Sequence, residues 1–154
     1  DVRDTVLLAN AESIAVEASM VAYEGVVIAA ERDAGSLRTM EENASKFGTH
    51  NIEIIPEITV EALEKLPTPR LAFIVAQEST IENDIVTLLK VNPKIKFIIY
   101  TLELDILADI KYLMKKHGVD VTEVMQIAVS KVDKNGVFVA QPAPWMITCE
   151  VKEK

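Results

Sequence analysis

The sequence predicts an α/β domain with a doubly wound, mostly parallel sheet and an antiparallel C-terminal hairpin. Three observations predict it. Apolar runs of strand length alternate with segments of helical period. Those runs are continuous rather than polar at every second residue, the pattern of parallel strands covered on both faces. The tail then changes to two β-rich runs around Asp133-Lys134-Asn135-Gly136, a hairpin signal. With 154 residues, 49% of them hydrophobic, the chain suits one domain over residues 1–154. A domain of this length buries roughly two thirds of its unfolded surface.

The elements follow in order. Thr5 to Ala9 is a short buried strand, and Glu12 to Ala22, rich in Ala, Glu and Met, reads as a helix. Gly25 to Ala30 is a second buried strand, opened by a turn glycine. From Asp33 to Phe47, Leu37, Met40, Ala44 and Phe47 recur at helical spacing, and Gly48 is a stop. Asn51 to Ile55 is the third strand. Thr59 caps a short helix that ends before Pro67. Leu71 to Ala76 is the fourth strand. Ser79 and Glu82 have capping-box spacing ahead of a helix carrying Ile81, Ile85, Leu88 and Leu89. Lys96 to Thr101 is the fifth strand. The next helix aligns Ile106, Leu107, Ile110, Leu113 and Met114 on one stripe and stops at Gly118. Asp120 to Lys131 and Val137 to Val151 form the hairpin, with Asn135-Gly136 supplying positive φ. The expected order of the parallel strands is 3-2-1-4-5, with the hairpin beyond the fifth.

Composition excludes several function classes. The one cysteine, Cys149, has no partner for an internal disulfide, so a cytoplasmic location is expected. No apolar run reaches the roughly 18 residues of a membrane span, and no secretory signal opens the chain. The formal net charge is −8, from 24 acidic and 16 basic residues, a field that repels nucleic acid and anionic membranes. Neither is an expected partner. The densest basic group, Lys111, Lys115 and Lys116, sits at a helix end, where it complements the dipole, as Glu103 and Asp105 do at the start. The chain begins at Asp1 without Met and enters a strand at once, which suggests the C-terminal domain of a longer protein.

Doubly wound sheets take ligands at the carboxyl ends of their strands, so the residues after each strand are the candidates. Glu31 ends the second strand, roughly 20 residues past the first loop, the spacing of a carboxylate that holds ribose hydroxyls. The alternative is a solvated charge beside Arg32 and Asp33, and spacing alone does not separate the two. Glu17 either braces the first loop or faces solvent, and the second reading is favoured. His50 and His117 lie beside helix ends with no nucleophile near them. No Cys/His/Asp spacing resembles a zinc site, and there is no Ser–His–acid set or P-loop.

Longer stretches are familiar together. Ser13 to Ala18, Gly25 to Asp33, Glu42-Asn43-Ala44 with Lys46-Phe47-Gly48, Thr101-Leu102-Glu103, Ala128 to Lys131 and Pro144 to Thr148 resemble, in sequence and order, the decarboxylating precorrin methyltransferases of cobalamin biosynthesis. The resemblance covers nearly the whole chain. It implies a class I methyltransferase (Rossmann-like) fold, S-adenosylmethionine as cofactor, and a tetrapyrrole substrate methylated at C15 with loss of an acetate carboxyl. It also implies a homo-oligomer, dimer or tetramer, and a domain that often follows a second methyltransferase in one polypeptide.

Carried onto this sequence, the resemblance places the cofactor against Ala9, Asn10 and Ala11, with Glu31 on the ribose and Glu57, beside Ile58, near the adenine. It places the substrate near Gln77, Thr101 and Lys131, with Lys134 beside the turn, since precorrins are polyanions. Tyr100 and Trp145 are bulkier than the residues usual at those positions.

Two glycine-rich stretches of the family are replaced. The first loop reads Leu8-Ala9-Asn10-Ala11-Glu12, without glycine and about two residues short; the second reads Val75-Ala76-Gln77-Glu78-Ser79. Glycine serves there because a Cβ occupies ligand space and some positions need positive φ. A non-glycine residue forced into such a conformation costs about 1–3 kcal/mol, Asn less than Ala. This predicts weak or absent cofactor binding. Two readings stand open: a methyltransferase, or a non-catalytic relative that keeps the fold as a scaffold or oligomerisation partner.

Overall fold

The computed structural model describes residues 5–10, 25–47, 51–128 and 130–153. Its strands are β1 (Thr5–Ala9), β2 (Val26–Ala30), β3 (Ile52–Ile55), β4 (Leu71–Val75), β5 (Lys96–Thr101), β6 (Val119–Gln126), β7 (Ser130–Val132), β8 (Phe138–Ala140) and β9 (Trp145–Val151). Its helices are α1 (Ala34–Phe47), α2 (Val60–Glu64), α3 (Ile81–Val91) and α4 (Leu104–Lys116). The helix expected over Glu12 to Ala22 lies outside the described residues.

Seven strands form one sheet in the order β3-β2-β1-β4-β5-β9-β6. The first five are parallel, in the expected order. β9 pairs antiparallel with β5, and β6 antiparallel with β9, so the later arm of the hairpin joins the sheet and the earlier arm forms its edge. β7 and β8 make a separate two-stranded ribbon.

The parallel strands bury both faces, which is why they read as continuous apolar runs. Leu7, Ile28, Ala72, Ile74, Phe97 and Ile99 face one side, where Leu63, Ile85, Leu88, Ile110 and Met114 of α2, α3 and α4 cover them. Leu8, Val27 and Ala29 face the other side, against Met40 of α1. Leu7 lies beside Ile28 and Ala72, and Ala72 beside Phe97, so one apolar row crosses the middle of the sheet. Each fully buried Leu, Ile or Phe of that row contributes about 1.5–3 kcal/mol relative to exposure.

The helix ends show which local signals hold. Thr59 is the N-cap of α2, its hydroxyl accepting from the Ala62 amide at 3.1 Å. Gly118 follows α4 with φ +77°, a conformation that favours glycine. The Ser79–Glu82 capping box does not form. Thr80 occupies the N-cap of α3 without a side-chain cap bond, and Glu82 instead meets Lys116 of α4 at 3.0 Å.

The tail differs in detail from expectation. The two runs break into four strands, with β8 and β9 separated around Pro142 and Pro144, which have no N–H for a ladder. In the turn only Gly136 has positive φ (+77°). Asn135 does not, because the Asp133 carboxylate orders the turn by accepting from the Asn135 and Val137 amides at 2.8 and 2.9 Å. No helix of the described residues is long and apolar enough to cross a membrane.

Candidate functional site

β1 lies between β2 and β4, and the strand order reverses there, so the crevice at its carboxyl end is where this architecture takes ligands. The first residue past β1 is Asn10. Its φ is 59°, the left-handed conformation that Asn tolerates better than Ala. Its amide donates to Ala30 at the end of β2 (3.0 Å), and its side-chain Nδ2 donates to the Val75 carbonyl at the end of β4 (3.2 Å). Asn10 therefore joins three strand ends. Its Oδ1 is buried without a hydrogen-bond partner among the described residues. Ala9 is fully buried, its methyl group in the core beside Leu7 and Ile28, so it offers this crevice only backbone. Ala11 and Glu17 lie outside the described residues, as does His50.

Glu31 follows β2 and is 6% exposed. Its amide donates to Ile55 of β3 (3.1 Å), and its Oε1 accepts from the Asp33 amide (3.0 Å). Asp33 in turn opens α1, its carboxylate accepting from the Ser36 amide at 2.7 Å. That bond holds the Asp33 carboxyl below the usual aspartate range.

Beyond β3, Glu57 is exposed while its neighbour Ile58 is buried in the core. Beyond β4, Gln77 has an exposed side chain, and its carbonyl accepts from the Thr80 and Ile81 amides where α3 begins. Thr101 is 2% exposed, and its hydroxyl accepts from the Glu103 amide at 2.9 Å ahead of α4. Tyr100 lies against Phe73, ring centres 6.1 Å apart.

Lys131 stands exposed on the ribbon, opposite Val139. Trp145 pairs with both Thr101 and Gln126, so β6 runs with β5 and the ribbon leaves the sheet at the carboxyl end of the strands. Lys131 is thus at the correct end of the molecule but on a projecting arm. The structure brings together Asn10, Glu31 and the end of β4; it does not bring Lys131 into that group. Among the described residues, no cluster of His, Cys, Asp or Glu is arranged to hold a metal ion.

One pair escaped sequence reasoning. Arg32 Nη2 donates to Asp84 Oδ1 at 2.7 Å, and Asp84, in the first turn of α3, is fully buried. Burial raises the Asp84 carboxyl above its ordinary value and outweighs the opposing effect of Arg32; Glu57 raises it further. Its second oxygen, Oδ2, is buried without a partner among the described residues. The available signal was an acid at position 84, directly before Ile85 in the apolar stripe of a helix.

Residues 8–151 match the precorrin methyltransferase domain family. Among solved structures, the chain is similar to precorrin-6Y C5,15-methyltransferase from Geobacter metallireducens GS-15, with a TM-score of 0.84 and 24% identity over 97% of this chain and 81% of that one. It is similar also to precorrin 8W decarboxylase from Methanobacterium thermoautotrophicum, at 0.76 and 18% over 97% and 82%. Sp1610 of Streptococcus pneumoniae, solved with S-adenosyl-L-methionine, gives 0.71 and 13% over 99% and 69%. At these identities the likeness is one of fold. No curated protein matches the sequence.

Proposed function

The chain belongs to the precorrin methyltransferase domain family, and on that premise we propose that it methylates a precorrin in cobalamin biosynthesis, with S-adenosylmethionine as donor. In its full form the proposal places methylation at C15 with loss of an acetate carboxyl. The observation that carries it is Glu31, a buried carboxylate at the end of β2, oriented by the Asp33 amide beside the strand switch point.

The residues present fit the adenosine end of the donor. Glu31, a buried carboxylate at the end of β2, is an acceptor for ribose hydroxyls. Bound there, the donor supplies a methyl group on a sulfonium. The chain's own contribution is positioning and exclusion of water, which needs no nucleophilic side chain. Gln77 and Thr101 stand at the mouth on the β4 and β5 side. Lys131 and Lys134 give the ribbon two cations for substrate carboxylates.

Asn10 favours a second reading. Its side chain crosses from β1 to β4, where the family has glycine, and takes space in the crevice. On that reading the domain is a non-catalytic scaffold. Both readings include a cytoplasmic homo-oligomer, dimer or tetramer. Calorimetric titration with S-adenosylmethionine and S-adenosylhomocysteine separates them. Binding that weakens in Glu31→Gln supports the enzyme; no heat at millimolar ligand supports the scaffold.

A further inference from the structure

We propose that Arg32 and Asp84 form a positioning pair that holds Glu31 in place; its functional meaning rests on the donor reading above, but its geometry does not. Arg32 sits two residues beyond the end of β2, and Asp84 in the first turn of α3, which follows β4. β1 lies between those strands, so the ion pair spans the carboxyl end of β1. It is a second tie across the place where Asn10 already bonds to the ends of β2 and β4.

The turn explains why the tie matters to Glu31. Arg32 is the middle residue between Glu31, whose carboxylate accepts, and Asp33, whose amide donates. The backbone on either side is fastened: the Glu31 amide to Ile55, and the Asp33 carboxylate and carbonyl to the Ser36 and Leu37 amides. The side chain of Arg32 supplies the remaining anchor, 52 residues away in sequence. With it, the turn has one orientation against α3. Without it, Glu31 swings with the exit of β2.

Stability does not account for the pair. Asp84 is fully buried, only one of its oxygens is bonded among the described residues, and its carboxyl is disfavoured in the charged form despite Arg32. A buried pair so incompletely bonded is commonly matched or bettered by apolar residues of similar size.

The test is the double variant Arg32→Met/Asp84→Leu in the full chain. We expect a thermal midpoint equal to or above that of the natural chain. We also expect amide exchange at Asp33 at least tenfold faster, and S-adenosylhomocysteine affinity about tenfold weaker. Arg32→Lys keeps the charge and should restore part of the Asp33 protection. A folded double variant with unchanged Asp33 exchange overturns the proposal, and so does a double variant that fails to fold, since the pair is then structural. If the natural chain binds no ligand while Asp33 loses protection in the variant, the positioning stands and the donor reading falls.

Discussion

Asn10 Nδ2 donates to the carbonyl of Val75 at 3.2 Å, tying the exit of β1 to the exit of β4 across 65 residues of sequence. The same residue takes a left-handed backbone conformation (φ 59°) and keeps a buried Oδ1 with no partner among the described residues. Here the chain combines a conformation suited to glycine with a side chain that glycine would not bring.

Asn10→Gly should therefore tighten donor binding. The substitution removes the side chain and its orphaned oxygen and eases the backbone, while giving up one hydrogen bond of about 1 kcal/mol. The net change in stability should stay within about 1 kcal/mol. Calorimetry should show S-adenosylmethionine binding about tenfold tighter, equivalent to roughly 1.4 kcal/mol. Unchanged affinity in a folded variant would show that Asn10 does not obstruct the crevice.

The buried Asp84 carboxyl makes a separate prediction about pH. Its value is raised on folding, so the folded chain holds that proton more tightly than the unfolded one. The associated stability is present below the unfolded value of 3.8 and is lost as pH rises through the folded value. Asp33 has the opposite sign, and its contribution is lost as pH falls below the ordinary aspartate value. Thermal midpoints of the natural chain and Asp84→Asn, measured upward from about pH 4, should show a decline in the natural chain that the variant lacks. Superposable profiles would contradict the assignment.

Much of this architecture is legible in the sequence, for identifiable reasons. Parallel strands buried on both faces, such as Leu71–Val75 and Lys96–Thr101, read as unbroken apolar runs whatever their neighbours are. The Thr59 cap depends on contacts three residues apart and is equally local. The Ser79–Glu82 box failed because Glu82 is drawn to Lys116 on the neighbouring helix, a tertiary choice. The site divides the same way. Glu31 has a spacing that makes it a candidate, whereas Asp84 has no local sign of its partner, and Arg32 lies 52 residues away.

Exposed apolar residues on the tail bear on assembly. Val124 and Met125 on β6, Val132 on β7, and Phe138 and Val139 on β8 are 42–79% exposed, with Phe138 the most open. Large apolar side chains this open are commonly covered by a partner in oligomers. Light scattering at micromolar concentration should report a dimer or tetramer, and Phe138→Glu should shift it toward monomer without lowering the content of regular structure. A monomeric natural chain would contradict the homo-oligomer.

Glu31→Gln tests the ribose contact itself. The amide oxygen of Gln can still accept from the Asp33 amide at the 3.0 Å position of Oε1, so the turn should survive and the thermal midpoint should change little. What is lost is the charge on an acceptor that is only 6% exposed, where a charge-assisted hydrogen bond is worth about 1.5–3 kcal/mol. Affinity for S-adenosylhomocysteine should fall at least about tenfold. The sugar provides the control. If Glu31 bonds the ribose hydroxyls, an analogue lacking the 2′ and 3′ hydroxyls should bind the natural chain and Glu31→Gln equally. A penalty of the same size for both ligands would mean that Glu31 acts through the fold of the turn, and the contact with ribose would have to be abandoned.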